Sequence, residues 1–302
     1  MALPAARGRR PAHAASPAFV LRIGPSSVAL EGQLDPDRWP LDAAHHRFTR
    51  PVAEPQLTLS VRHGSNAAPQ GRLIFQAGGV ASIYRDGDTW IFRLGEEAPF
   101  APADRAITLE PSGTTGSLVM DMGRSPELAA SYPLEYPLED LLFRHLLAER
   151  RALLVHACGG AWRRRGYLFV GSSGAGKSTT ARLWRAAGAT ILNDDRIVLE
   201  ASRDAIWIHP TPWFGEHPEV GGESVPLAAL YLLRKGSEVA FEPIRSAHAA
   251  ALVFAKSFPP LWDPERMGLT LEALGLICRQ IPCGWLTVPP DPRAVTWVLE
   301  QR

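Results

Sequence analysis

The stretch Gly171-Ser172-Ser173-Gly174-Ala175-Gly176-Lys177-Ser178 constrains the chain more than any other, because it fits G-x-x-x-x-G-K-[ST] at every fixed position. Residues 167–170, Tyr-Leu-Phe-Val, read as a short buried strand, and residues 179–187 as a helix. A strand–loop–helix context is what gives this motif a phosphate-binding meaning. Its glycines let successive backbone N–H groups turn inward and form an anion-binding concavity. The helix that follows points its positive dipole end at the same place. Residues 171–179, from Gly171 to Thr179, are therefore the expected nucleotide contact. Lys177 is expected to reach the β- and γ-phosphates of ATP, and the Ser178 hydroxyl to sit on Mg²⁺.

A second signal lies downstream. Ala189-Thr190-Ile191-Leu192 reads as a strand that ends in Asn193-Asp194-Asp195-Arg196. The separation from Lys177 to Asp194 is 194 − 177 = 17 residues, so this is the strand directly after the loop helix. Carboxylates at the carboxyl end of such a strand lie where ligands bind in open α/β sheets. One can serve Mg²⁺ and the other can orient or deprotonate a nucleophile. Successive strand residues face opposite sides, so both can serve one site only if the strand has already ended. His156 closes an apolar run, 153–157, shortly before the loop, and reads as either structural or functional. Glu216, in the Pro- and aromatic-rich stretch 211–217, is a polar group that can fold over the site and a further metal-ligand candidate.

The rest of the chain frames this site. Its 302 residues suggest two domains. Residues 1–16 hold Arg7, Arg9 and Arg10 with no acid and read as a disordered tail. Residues 17–130 show period-two alternation (Leu57, Leu59 and Val61 against Thr58, Ser60 and Arg62) and a hairpin signal at Asp86-Gly87. They are expected to form a mostly antiparallel β domain without a catalytic constellation. His45, His46 and His63 lack acids at ligand spacing and read as surface histidines. Residues 131–302 read as the catalytic domain. It opens on a helix after Pro137 whose Leu138, Leu141, Leu142 and Leu146 share one face. Gly159-Gly160 and Arg163-Arg164-Arg165 read as the turn between two strands. Helices are expected over 242–256, 265–281 and 292–300, with a strand at 282–288 between the last two.

Composition excludes several classes. A net charge of +1 gives no reason to expect a nucleic-acid partner. No apolar run approaches the ~20 residues that cross a bilayer, and the first residues lack the apolar core of a signal peptide. Three cysteines, Cys158, Cys278 and Cys283, are too few for a disulfide framework and suit a reducing, cytoplasmic setting. The chain has no Asn-Lys-x-Asp guanine reader of switch GTPases and no Leu-Ser-Gly-Gly signature of transport ATPases.

Taken together, His156, the loop 171–178 and Asn193-Asp194-Asp195-Arg196-Ile197-Val198 resemble the catalytic domain of HPr kinase/phosphorylase. The closer resemblance is to the HPr-kinase-related proteins, which include kinases that tailor lasso peptides. It covers roughly residues 136–300 and leaves out the N-terminal β domain. It implies an α/β P-loop kinase domain of the HPr kinase/phosphoenolpyruvate carboxykinase kind, preceded by the β domain. It also implies ATP and Mg²⁺ as cofactors and a protein, peptide or small-molecule hydroxyl, serine above all, as acceptor, in a chain that can form a homo-oligomer. Carried over, the catalytic set is Lys177, Asp194, Asp195 and His156, and the metal set Ser178, Asp195 and Glu216. By resemblance alone Asp194 is the base and Asp195 the metal-side partner, with the roles exchangeable. The family's Arg-Gly-Arg-Asn segment has no counterpart here, so HPr itself is not carried over as the acceptor. A non-catalytic nucleotide-binding module and a carboxykinase-like small-molecule enzyme remain the alternative readings.

Overall fold

A computed structural model describes residues 19–32, 36–66, 70–94, 104–121, 131–216 and 221–301. The expected tail, the proposed boundary at 130 and His217 lie outside them. The first half forms β1 (Phe19–Ile23), β2 (Ser26–Gly32), the short helix α1 (Ala43–His46), β3 (Leu57–His63), β4 (Arg72–Ala77), β5 (Ala81–Asp86), β6 (Thr89–Leu94), β7 (Asp104–Leu109) and β8 (Thr115–Asp121). These strands make one sheet in the order β1-β2-β3-β8-β7-β6-β5-β4. The β2–β3 and β3–β8 pairs are parallel and the others antiparallel, so the sheet is mixed. The hairpin at Asp86 closes on an Asp86–Thr89 pair, with Gly87 at φ +55°, the left-handed backbone that glycine adopts without cost.

The second half begins with α2 (Leu138–Glu149) and continues through β9 (Ala152–Trp162), β10 (Arg165–Val170), α3 (Lys177–Ala186), β11 (Thr190–Asn193), β12 (Arg196–Ala201), β13 (Ile206–His209), β14 (Val225–Lys235), β15 (Ala240–Pro243), α4 (Ser246–Phe254), α5 (Pro264–Gln280), β16 (Cys283–Val288) and α6 (Arg293–Glu300). Its sheet is also mixed, in the order β10-β9-β12-β13-β14-β16-β15, with β11 on β9. An added β10–β14 pairing returns the sheet on itself, and β10, β14 and β16 run parallel.

Both faces of β10 and β14 are covered, which explains their nearly continuous apolar sequences. Leu168, Val170, Leu230 and Leu232 face a core shared with α4 and α5, while Tyr167, Phe169, Tyr231 and Leu233 face α3 and α6. The leucines of α2 lie in the core of the first sheet, beside Leu30, Leu57 and Phe92, and Leu154 and Val198 of the second sheet join the same cluster. One apolar core thus crosses the region where the sequence suggested a boundary.

Three local expectations are corrected. Gly159 and Gly160 lie inside β9 rather than in a turn; the turn is at Arg163-Arg164. A Cβ on Gly159 would sit 2.5 Å from Ile197 Cδ1, and one on Gly160 3.2 Å from the Trp184 ring. The glycines are there because neighbouring side chains approach the strand closely. His156 consequently sits within β9, not at its end. The stretch 242–256 is divided between β15 and α4, where Pro243 removes a backbone donor.

Candidate functional site

The glycine-rich loop follows β10 and leads straight into α3, whose first residue is Lys177. Gly174 and Gly176 have φ of +76° and +109°, and Gly176 is the N-cap of the helix. A Cβ on Gly171 would come within 2.7 Å of Ala175 Cβ, so the first glycine is set by the tightness of the loop. Lys177 is 8% exposed, and its ammonium donates to the carbonyls of Gly171 at 2.9 Å and Ser172 at 3.1 Å. Burial pushes it below its ordinary range, with Asp195 pulling the other way. Ser172, Ser173 and Gly174 are exposed, and Ser178 and Thr179 are half-buried in the first turn of α3. Backbone N–H groups at a helix start and a buried cation beside an open glycine-rich loop are the components that an anion site uses.

Asp194 and Asp195 follow β11, where the strand has ended, and they differ sharply. Asp194 is 4% exposed, and its carboxylate oxygens accept the Gly215 N–H at 2.9 Å and the Glu216 N–H at 3.0 Å. Gly215 eases this approach, since a Cβ there would stand 3.3 Å from the Asp194 carboxylate, a tight contact. Asp195 has 29% of its side chain exposed and meets His156 Nδ1 at 3.2 Å. His156 beside it holds the Asp195 carboxyl below the usual range, against burial and with help from Arg196 and Lys177. The backbone of His156 is fixed by its main-chain N–H, which donates to the Lys256 carbonyl at 2.7 Å. The structure therefore brings Lys177, Asp195 and His156 together. It places Glu216 next to Asp194 through its backbone, with the residue itself exposed.

Two residues that the sequence reading placed in the motif without a role organise the site. Asn193 is fully buried: its Oδ1 accepts the N–H groups of Asp195 at 2.8 Å and Arg196 at 3.0 Å, while its Nδ2 donates to the carbonyls of Thr211 at 3.0 Å and Trp213 at 2.8 Å. One amide thus ties the aspartate turn to the loop that caps it. An Asn opening a turn before two acids is the signal that could have found it. Arg196 is the second. It pairs with the buried Asp140 at 2.6 Å, reaches Asp195 at 3.4 Å and lies over the Phe258 ring at 4.7 Å. Burial works against its charge, but Asp140, Tyr136 and Asp195 together outweigh this and hold the guanidinium above its ordinary range. Asp140 also pairs with Arg144. Cys158, under the site, is no nucleophile; burial above all, then Asp194, pushes its thiol up to about 12.

A mainly apolar cavity of about 220 Å³ opens beside the loop, lined by Gly176, Thr179, Leu183, Leu233, Val288 and Pro290. It sits at the carboxyl ends of parallel β14 and β16, beside the first turns of α3, the position where ligands of α/β sheets bind. Among the described residues, no helix is long and apolar enough to cross a membrane.

No protein-family model and no curated protein matches the chain. Among solved structures, the HPr(Ser) kinase/phosphatase from Coxiella burnetii is similar at 13% identity over 48% of this chain and 93% of that one, with a TM-score of 0.29. The likeness to an HPr kinase is thus distant and weak.

Proposed function

We propose that the chain is a phosphotransferase that uses ATP and Mg²⁺ and passes a phosphoryl group to an alcohol, of the serine type, on a protein, peptide or small molecule. In this reading residues 131–302 form a P-loop kinase domain of the HPr kinase/phosphoenolpyruvate carboxykinase kind. The observation that carries it is the placing of a solvent-accessible, half-buried carboxylate, Asp195, paired to His156, beside the Lys177 that closes the glycine-rich loop. Phosphoryl transfer needs charge neutralised and reactants positioned, and the buried Lys177 and the Asp195–His156 pair support this reading.

The loop N–H groups and Lys177 bind the phosphates, and the apolar cavity by Leu183 and Val288 receives the nucleoside. Oxygen donors suit Mg²⁺, which takes one or two carboxylates and leaves its other positions to phosphate and water. Among the described residues no group of three His, Cys, Asp or Glu side chains is gathered for a metal, so in this reading the ion is shared with its substrate. Ser178 and Glu216 would hold the ion, which when bound neutralises charge on the phosphates. Asp195 takes the proton of the acceptor hydroxyl as the new O–P bond forms and the bond from the γ-phosphorus to the bridging oxygen breaks, with ADP leaving. His156 and Arg196 fix its orientation. Asp194, with both oxygens on backbone N–H groups, holds the loop at 215–216 over the site. This moves the base from Asp194, where resemblance alone placed it, to Asp195 and leaves Asp194 a positioning role; the difference in exposure of the two carboxylates favours the change.

The test is transfer from γ-labelled ATP to an acceptor in cell lysate. Asp195→Asn is expected to lower transfer by about 10²–10⁴-fold, the contribution of a general base, while ATP binding persists. Asp194→Asn is expected to act on KM more than on kcat. Normal transfer by Asp195→Asn would remove the proposal.

A further inference from the structure

A second cleft, of about 870 Å³, runs along the seam between the two sheets. One wall carries Arg22 of β1 with Arg47 and Arg50, which follow α1; the other carries His209 of β13. All three arginines are exposed. Two acids also line the cleft, and one of them, Glu200, is engaged by His209 Nε2 at 2.8 Å; the other is Glu223. A chain of net charge +1 has therefore gathered guanidinium groups on one seam. A smaller adjoining cleft shares Arg47 and adds Arg185, which extends the basic lining.

Guanidinium groups match carboxylates in planar, paired hydrogen bonds. The near-neutral chain and the two acids in the lining disfavour the phosphate density of nucleic acid. The cleft is also connected to the candidate site. Pro210 lines it, and from there residues 211–216 run to Asp194: Thr211 Oγ1 donates to the Arg196 carbonyl at 2.7 Å, and Gly215 and Glu216 cap the carboxylate. Six residues reach at most roughly 20 Å when extended, which bounds the length of this segment.

We propose that the seam cleft docks an acidic segment of a polypeptide acceptor and so presents a nearby hydroxyl to Asp195. The identification of the bound peptide as an acceptor rests on the phosphotransferase reading; the binding itself does not. The test uses the full chain and fluorescence anisotropy with three labelled probes: a Glu-rich twelve-residue peptide containing one serine, its Lys-for-Glu counterpart, and a single-stranded oligonucleotide. The Glu-rich peptide is expected to bind saturably and to weaken as salt is raised. The double variant Arg22→Glu/Arg50→Glu is expected to lose roughly tenfold or more in affinity, with binding of a fluorescent ATP analogue unchanged. The proposal is overturned by absent binding of the Glu-rich peptide, by equal binding of the Lys-rich one, by tighter binding of the oligonucleotide, or by undiminished binding in the variant. The Glu-versus-Lys contrast is made on the wild type and stands whether or not the variant folds. Binding as expected with no transfer from γ-labelled ATP would keep the cleft and remove the phosphotransferase; transfer without peptide binding would do the reverse.

Discussion

Asn193→Ala removes one amide from the centre of the candidate site. In the wild type that fully buried amide satisfies the N–H groups of Asp195 and Arg196 and the carbonyls of Thr211 and Trp213. Alanine leaves these groups without their partner. A buried polar group stripped of its partner costs about 1–3 kcal/mol. Water can reach part of the turn, since Asp195 and Arg196 are half-buried, so the lower part of the range applies, and about 3 kcal/mol is expected in all. For a cooperative unit of domain size this lowers Tm on the order of 6–12 °C. Thermal unfolding followed by tryptophan fluorescence reads it. Asn193→Asp is the sharper variant: it keeps an acceptor for the two N–H groups but turns a second oxygen toward the Thr211 and Trp213 carbonyls. It is expected to be at least as damaging as alanine at neutral pH, and both are expected to abolish phosphoryl transfer. An Asn193→Ala protein within about 2 °C of wild type, or an Asn193→Asp protein clearly more stable than the alanine variant, would refute the idea that this amide holds the site together.

Three further outcomes are expected. Gly159→Ala would drive a Cβ to 2.5 Å from Ile197 Cδ1 in the core; overpacking of this kind costs about 1–3 kcal/mol, seen as a lower urea midpoint. Burial opposes the charge on His45, but Glu139 and then Asp42 prevail and raise its imidazole to about 9. Because the folded value lies above the unfolded one, this stability is full below about pH 6.5 and is lost as pH rises through about 9, on the order of 3 kcal/mol at most; Tm should fall across that window in the wild type and stay flatter in His45→Gln. Leu183→Trp would fill the apolar cavity beside the loop and should raise the KM for ATP while leaving Tm nearly unchanged.

The parts of the structure legible in the sequence are those written in local spacing. Leu57, Leu59 and Val61 alternate with polar neighbours and lie buried in β3, and the Asp86-Gly87 signal closes the hairpin of β5 and β6. The glycine-rich loop and the aspartate pair are legible because each is a contiguous signal. What stays hidden depends on partners far away in the chain. Strand β2 escapes because Ser26-Ser27 opens it and its inward face is read only against β1 and β3. The glycines in β9 look like a turn, since nothing nearby announces that Ile197 and Trp184 will press on them. His45 looks like a surface residue until Glu139, on α2, comes to lie 3.4 Å away. The partnership of Asp140 with Arg196 spans 56 residues, and no local pattern records it.

The central claim is that residues 171–179 hold the phosphates of ATP. Isothermal titration of ATP in the presence of Mg²⁺ into the wild type and Lys177→Ala tests it most directly. The wild type should bind saturably at one site, and the variant about tenfold or more weakly, since a charge-assisted hydrogen bond contributes about 1.5–3 kcal/mol. No saturable binding by the wild type, or equal affinity in the two proteins, would contradict it.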